Sequence, residues 1–315
     1  MPCRVPTVDV GAVPHDDGVA VSRSTPQPYA DALLAELDAI ESAYLQVLAS
    51  SGVRNIDPNR RGSDITFIGY AHWGWAPSDS TLEAARMKLL GQVRDFRPRF
   101  ELLFPHPTPT VAKRHGQALD LLEKWLVRRR GDKTVPRTVD AAVEQLRAAE
   151  SVLRDARELL PDDPIPVRLV VDTNALIDCP DLAAYAPQLG PRYEAHLLPV
   201  VLRELDDHKR AGRNAELREA AKKADRRLKG LRDNGDVTAG VRVAGEVTAV
   251  FEHIEPRGDG LPDWLDLTVP DDRFVASSLL LQSAHPGSAV NVATSDLNLQ
   301  TKLAAVRLPF VEPPA

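Results

Sequence analysis

RLVVDTNALID, residues 168–178, is the stretch whose reading decides the fold. A short apolar run, RLVV, meets Asp172, and Thr173-Asn174 then lead into ALI. That pattern predicts a strand buried on both faces, followed by a turn and a helix. The same grammar recurs downstream. HLLPVVL (196–202) reads as a strand or a strand running into a helix, and a long polar helix or helix pair follows over 203–232. Alternating Val, Thr and Phe within 236–255 suggest one or two strands. DRFVASSLLLQSA (272–284) reads as helix, SAVNVATS (288–295) as strand, LNLQTKLAAV (297–306) as helix and LPFVEP (308–313) as a short last strand. Strand alternating with helix predicts an α/β unit with an open parallel sheet and flanking crossover helices.

Acidic residues sit where these strands hand over to helices: Asp172, Glu204, Asp271 or Asp272, and Asp296. Separate strand ends of an open α/β sheet converge on one crevice. Carboxylates gathered there repel one another unless a cation neutralises them. Taken singly, each has a structural explanation, because Asp is a favoured N-cap and acids are favoured in a helix's first turn. Taken together, they point to an all-oxygen site for Mg2+ or Mn2+, the ions that suit carboxylates and water. Thr173, Asn174, Thr294, Ser295 and Asn298 flank these acids and are placed to hydrogen-bond and orient them. Metal-assisted phosphodiester hydrolysis is chemistry that such a site serves.

DTNALIDCPDL, VVLRELDDHKRAGRNAELREAAKKADRRL, PDDRFVASSLL and ATSDLNLQTKLAAVRLPFVEP resemble the successive motifs of a PIN domain, over about residues 168–315. The ELD-x-x-K stretch, its basic helix and the (T/S)-x-D-x-N-L-x-x-K ending are most similar to the PIN module of PhoH-type proteins. The resemblance implies a Mg2+- or Mn2+-dependent nuclease, mostly acting on RNA, with a central parallel sheet and three or four site acids. Carried over by position, the first acid is Asp172, the second Glu204 and the fourth Asp296. For the third, Asp272 places Val275 and Ala276 at the family's apolar offsets, and Asp271 places Phe274 and Val275 there almost as well; Asp272 is favoured and Asp271 kept. The implied reaction is in-line attack by an activated water, leaving a 3′-hydroxyl and a 5′-phosphate. A non-catalytic RNA- or protein-binding scaffold and a structure-specific DNA nuclease stay open as alternatives. The pattern G-x-x-x-x-G-K-[ST] is absent, so no nucleotide cofactor or ATPase activity is expected.

Between Arg203 and Arg232 there are eleven Lys/Arg against six Asp/Glu. This is either a solvated face laced with i,i+4 pairs or a rail for a phosphate backbone. On the second reading Lys209, Arg210, Arg213, Lys222, Arg226 and Arg227 contact single-stranded RNA without reading its sequence. His208 beside Asp207 reads as a surface residue and Cys179 as a small buried hydrophobe. His72-Trp73-Gly74-Trp75 either stacks on bases or plugs a core. No G-x-S-x-G elbow and no G-x-G-x-x-G follow a strand, which leaves serine hydrolases and dinucleotide enzymes unsupported.

The 315 residues suffice for about two domains. Residues 1–27 read as a flexible tail, rich in Pro and Gly without periodicity. Residues 28–160 read as a mainly α-helical domain: a helix from Tyr29 stopped by Gly52, a capping box at Ser80 opening the next, breaks at Pro98, Pro105, Pro107 and Pro109, and further helices over 111–130 and 138–160. PDDPIP marks a linker over 161–167. The helical domain is expected to bind a protein partner, restrain the nuclease or mediate self-association. The net charge of −6 confines any nucleic-acid surface to a local patch. Two cysteines and the absence of a long apolar run predict a reducing, cytoplasmic setting with no membrane contact. A toxin-like, phage-defence or RNA-processing role all fit the same chemistry.

Overall fold

The computed structural model describes residues 27–56, 72–129, 132–258 and 260–314. The expected tail at 1–27 lies outside that range but for Gln27, and so do residues 64–71 of DITFIGYAHWGW (64–75), a stretch that reads as strand-like from its sequence.

The first half is helical. Helices α1 (Tyr29–Ala49), α2 (Ser80–Leu102), α3 (Pro109–Val127) and α4 (Val139–Asp155) enclose an apolar cluster containing Leu37, Tyr44, Phe96, Leu122, Trp125 and Leu146. Helix α1 ends at Ala49, ahead of Gly52. Helix α2 is capped by Asp79, one residue before Ser80, and the Asp79 carboxylate accepts from Leu82 N at 2.8 Å. Pro98 lies inside α2 and does not break it, contrary to the sequence expectation. Thr108 and Thr138 cap α3 and α4 by accepting from the amide three residues on, which satisfies donors that a helix start leaves free.

A short antiparallel pair, β1 (Val53–Ile56) and β2 (His72–Trp75), belongs to this half, with Val53 opposite Trp75. Trp75 is buried, and its ring meets Trp125 edge-on at 5.7 Å. It therefore plugs the core, while Trp73 is half-buried.

The second half is a six-stranded sheet with helices around it. Strand β3 (Val167–Val171) is followed by α5 (Thr173–Asp178), α6 (Ala186–Leu189), β4 (Glu194–Leu197), α7 (Pro199–Ala211) and α8 (Ala215–Asn234). The hairpin β5 (Val241–Ala244) and β6 (Val247–Phe251) comes next, then α9 (Pro270–Ala284), β7 (Ala289–Ala293), α10 (Leu297–Ala305) and β8 (Phe310–Val311). HLLPVVL thus resolves into a strand ending at Leu197 and a helix opened by Pro199, whose fixed φ suits a first helical position.

The strand order is β5-β6-β4-β3-β7-β8, parallel throughout except for β5 against β6. Every residue of β3 and β7 is buried, as expected of strands covered on both faces. The chain moves outward from β3 to β4 and β6, then returns to the other side of β3 for β7 and β8. The order therefore reverses between β3 and β7, and the crevice beyond their carboxyl ends is where an open α/β sheet binds its ligand.

The two halves touch. Tyr29 N donates to Ser288 O at 3.2 Å, Ser283 Oγ donates to Leu102 O, and Arg307 of the sheet unit pairs with Glu36 at 3.1 Å. The Pro-rich stretch 161–166 carries no helix, and its Asp163 is buried against Arg168 at 3.0 Å and His285 at 3.0 Å. Cys179 is half-buried rather than fully so.

Candidate active site

The register of β3 with β7 places the first site residues side by side. Val171 is opposite Ala293, so Asp172 and Thr294 are the next residues out on adjacent strands. Asp172 N donates to Ala293 O at 3.0 Å, extending the ladder by one bond. The Thr294 hydroxyl then serves both strand ends. It donates to Asp172 Oδ2 at 3.3 Å and accepts from Asp296 N at 3.1 Å. Asp172 also caps α5, its Oδ1 accepting from Thr173 N at 2.7 Å. Thr173 Oγ1 donates in turn to Glu204 Oε2 at 2.5 Å, tying the start of α5 to the second turn of α7.

Asp172 is 7% exposed, and among the described residues no cation bonds to it. Burial raises its carboxyl pKa to about 6, and the nearby Glu204 carboxylate adds to the rise against the hydrogen bonds from Thr173, Thr294 and Asn174. Asp296 caps α10, its Oδ1 accepting from Asn298 N at 2.7 Å and Leu299 N at 3.1 Å. The structural and functional readings of this residue therefore coexist, because both cap bonds use one oxygen.

These acids face one cleft of about 480 Å³, lined by Asp172, Thr173, Asn174, Glu204, Asp271 and Asp296, with Asp207, His208, Arg213, Leu217 and Leu299. Asp272 does not line it. Its Oδ1 meets Lys302 Nζ at 2.7 Å and its Oδ2 accepts from Asp266 N at 2.9 Å, so the carboxylate is buried as an anchor between α9, α10 and the loop before α9. Asp271, one residue earlier, turns to the cleft and is held at 3.0 Å by Asn298 Nδ2 and at 3.3 Å by Lys302 Nζ. Of the residues expected to orient the acids, Thr173, Asn174 and Thr294 adjoin Asp172, and Asn298 adjoins Asp271. Ser295 is exposed and lies outside the lining.

Sequence reasoning passed over Asp207 as a site residue and read His208 as surface. Both follow Glu204 on α7, at i+3 and i+4, and so share its face. That spacing was the available signal.

The basic residues divide. Lys209 bridges Asp206 at 2.5 Å and Asp225 at 2.8 Å, locking α7 to α8, and these bonds raise its pKa. Lys222 pairs with Glu219 at 2.7 Å and Arg227 reaches Asp181 at 3.4 Å, both at the surface. Arg213 lines the cleft. Arg210, Arg213 and Arg226 are exposed, and among the described residues none has an ion-pair partner.

Among the described residues no group of three or more His, Cys, Asp or Glu side chains is drawn tightly enough to hold a metal ion as the side chains stand. The acids ring the cleft instead of closing on one point. Their donor set is oxygen only, which suits a hard divalent cation. Mg2+ in particular keeps several waters and takes only one or two carboxylates directly, so a ring of spaced acids fits it.

The second half is thus an α/β fold with an acidic cleft at the switch point of its mostly parallel sheet. A family model described as a PIN domain matches residues 169–311, and the C-terminal half is a PIN domain. PIN domains are generally nucleases, which supports a hydrolase at that level. No curated protein matches the chain. Among the described residues no helix is long and apolar enough to cross a membrane.

Proposed function

We propose that the chain is a metal-dependent endoribonuclease. The observation that carries this reading is the gathering of Asp172, Glu204, Asp271 and Asp296 around one cleft, with Asp172 buried and, among the described residues, no cation bonded to it. Asp172, Asp271 and Asp296 would hold Mg2+ or Mn2+, with Glu204 acting directly or through water. A bound ion would supply neutralising charge, polarise the phosphate and lower the pKa of a water. Thr173 and Thr294 keep the Glu204 and Asp172 carboxylates aimed by donating to them. Arg213, on the cleft wall, steadies the phosphate backbone, and Arg210 and Arg226 extend that track along the α7–α8 pair. Asp271 replaces Asp272 as the third acid in this reading, because Lys302 and the Asp266 amide already occupy Asp272.

RNA as substrate, the PhoH-type subtype and a cytoplasmic setting rest on the motif resemblance. The helical half serves as a regulatory or partner-binding unit, a reading supported by its direct docking on the nuclease half through Glu36, Leu102 and Tyr29.

The test is cleavage of end-labelled single-stranded RNA by the full chain with Mn2+, beside the Asp172→Asn variant and a chelator control. Cleavage that both the variant and the chelator abolish supports the proposal. Undiminished cleavage by the variant refutes the site. RNA binding without metal dependence or cleavage favours the non-catalytic scaffold, and preferential cutting of flap DNA favours a DNA nuclease.

A further inference from the structure

A second concave site lies in the helical half, in a region the nuclease reading does not use. Arg54 of β1, Arg86 of α2, and Arg128 and Arg129 after α3 line a pocket of about 270 Å³ together with Trp75. Four guanidinium groups in one pocket repel unless something negative answers them. Two acids share the lining, Glu83 and Asp132, and both carry partners, although Asp132 Oδ2 is itself buried and meets no donor among the described residues. Glu83 accepts from Arg86 at 2.6 Å, while Asp132 pairs with Lys124 at 3.2 Å and caps Thr134 N at 2.9 Å.

Arg128 is the centre of the arrangement. It ends α3 in a left-handed conformation, φ 51° and ψ 51°, which turns its side chain back over the Trp75 ring at 4.8 Å. Among the described residues its bonds reach only neutral oxygens: Ser51 Oγ, Ser78 Oγ at 3.0 Å and Ala76 O at 3.4 Å. Burial first, and the Arg86 charge second, pull its pKa down to about 10. A protein that only needed to fill this space would gain by using an apolar side chain. Two donors on the lining residues, Arg128 Nε and Trp75 Nε1, are buried and meet no acceptor among the described residues. Buried donors left unmatched beside excess positive charge mark a place where acceptor oxygens are missing.

We propose that this pocket binds a phosphate group. Planar guanidinium forks match phosphate oxygens two at a time, which is why arginine, more than lysine, builds such sites. The volume lies just below the ~300–1,000 Å³ of ordinary small-molecule pockets, so it suits a phosphate head group more than a whole cofactor. Arg128 and Arg86 form the fixed floor, and the exposed Arg54 and Arg129 close on the ligand from the rim. The phosphate belongs either to a small free anion or to the end of a nucleic-acid strand, and the chemistry of recognition is shared.

The experiment uses the full chain in chelator, so that nothing is cleaved, with inorganic pyrophosphate as the first probe and calorimetric titration as the readout. The Arg54→Gln/Arg129→Gln double variant alters only exposed rim residues, and circular dichroism checks that it is folded. Arg128→Lys is the second variant, which keeps the charge and removes the fork. Pyrophosphate should bind the wild-type chain, with affinity lowered on the order of tenfold or more in the double variant. No binding to the wild-type chain overturns the proposal, and so does wild-type affinity in the double variant. Paired RNA oligonucleotides with and without a 5′-phosphate identify the source. Tighter binding of the phosphorylated strand, lost in the double variant, supports a strand end. Equal binding of both strands alongside variant-sensitive pyrophosphate binding supports a small anion.

Discussion

Replacing Asp172 by Asn should stabilise the metal-free protein above pH 6 while abolishing cleavage. The buried carboxyl titrates at about 6 against an ordinary 3.8. A raised pKa means that the folded state binds this proton more tightly than the unfolded chain does. The contribution to stability is therefore complete below pH 4 and is lost as pH rises to about 6. A shift of about two units corresponds to roughly 3 kcal/mol at ~1.4 kcal/mol per unit. Asparagine removes that ionisation cost and keeps an acceptor for Thr173 N, but an amide NH2 in place of Oδ2 takes away the acceptor to which the Thr294 hydroxyl donates. The mismatch costs about 1 kcal/mol, leaving a net gain of about 1–2 kcal/mol at pH 7.5. Urea denaturation in chelator from pH 4 to pH 8 measures it, read as the difference between variant and wild type so that other titrations cancel. The difference should grow between pH 4 and pH 6 and then flatten. A variant less stable than wild type at pH 7.5, with no pH-dependent difference, would refute the argument that Asp172 is held ionised against its surroundings.

Lys302→Met should destabilise the fold by about 3 kcal/mol, because it strands the buried Asp272 carboxylate, and a thermal melt checks this. Asp272→Asn should likewise act mainly on stability, whereas Asp271→Asn should remove Mn2+-dependent cleavage at nearly unchanged melting temperature; the reverse pattern would return the third-acid role to Asp272. Arg213→Ala should weaken RNA binding and reduce the slope of log affinity against log salt by about one, measured by fluorescence anisotropy at several salt concentrations. Glu150, buried in the helical core with its pKa pushed up to about 8 by burial and then by Glu41, destabilises the fold progressively from pH 5 to pH 8. Glu150→Gln should therefore gain about 3 kcal/mol at pH 9 and almost nothing at pH 5, by denaturant titration at the two pH values.

Much of the α/β half was legible because its strands are short and apolar on both faces. RLVV runs directly into Asp172, VNVA reaches Asp296 after Thr294 and Ser295, and each of these acids also caps the next helix. The third acid was not legible. Asp271 and Asp272 are neighbours on the first turn of α9, about 100° apart around the helix axis, and apolar offsets hardly separate them. What separates them lies in the fold: Asp271 lines the cleft, while Asp272 is turned to Lys302 and the Asp266 amide, and no local pattern reports those partners. The basic helices left two readings open for a related reason. Charge density identified the region, but Lys209 is consumed by Asp206 and Asp225, the second of which belongs to the facing helix. In the helical half, Pro98 looked like a break, yet α2 runs through it and is held on either side by Phe96 and Phe100 in the core. Strand β2 ends the strand-like stretch 64–75, whereas its partner β1 was not legible, because four residues with half-buried faces leave almost no periodic signal.

Anomalous diffraction from crystals of the full chain soaked in Mn2+ goes straight to the site on which the function rests. The expected result is a manganese peak inside the cleft, with Asp172 and at least one of Asp271 and Asp296 among its ligands and waters completing its shell. A fully occupied peak elsewhere with none in this cleft, or a soaked cleft that stays empty while the same protein cuts RNA, would contradict the assignment.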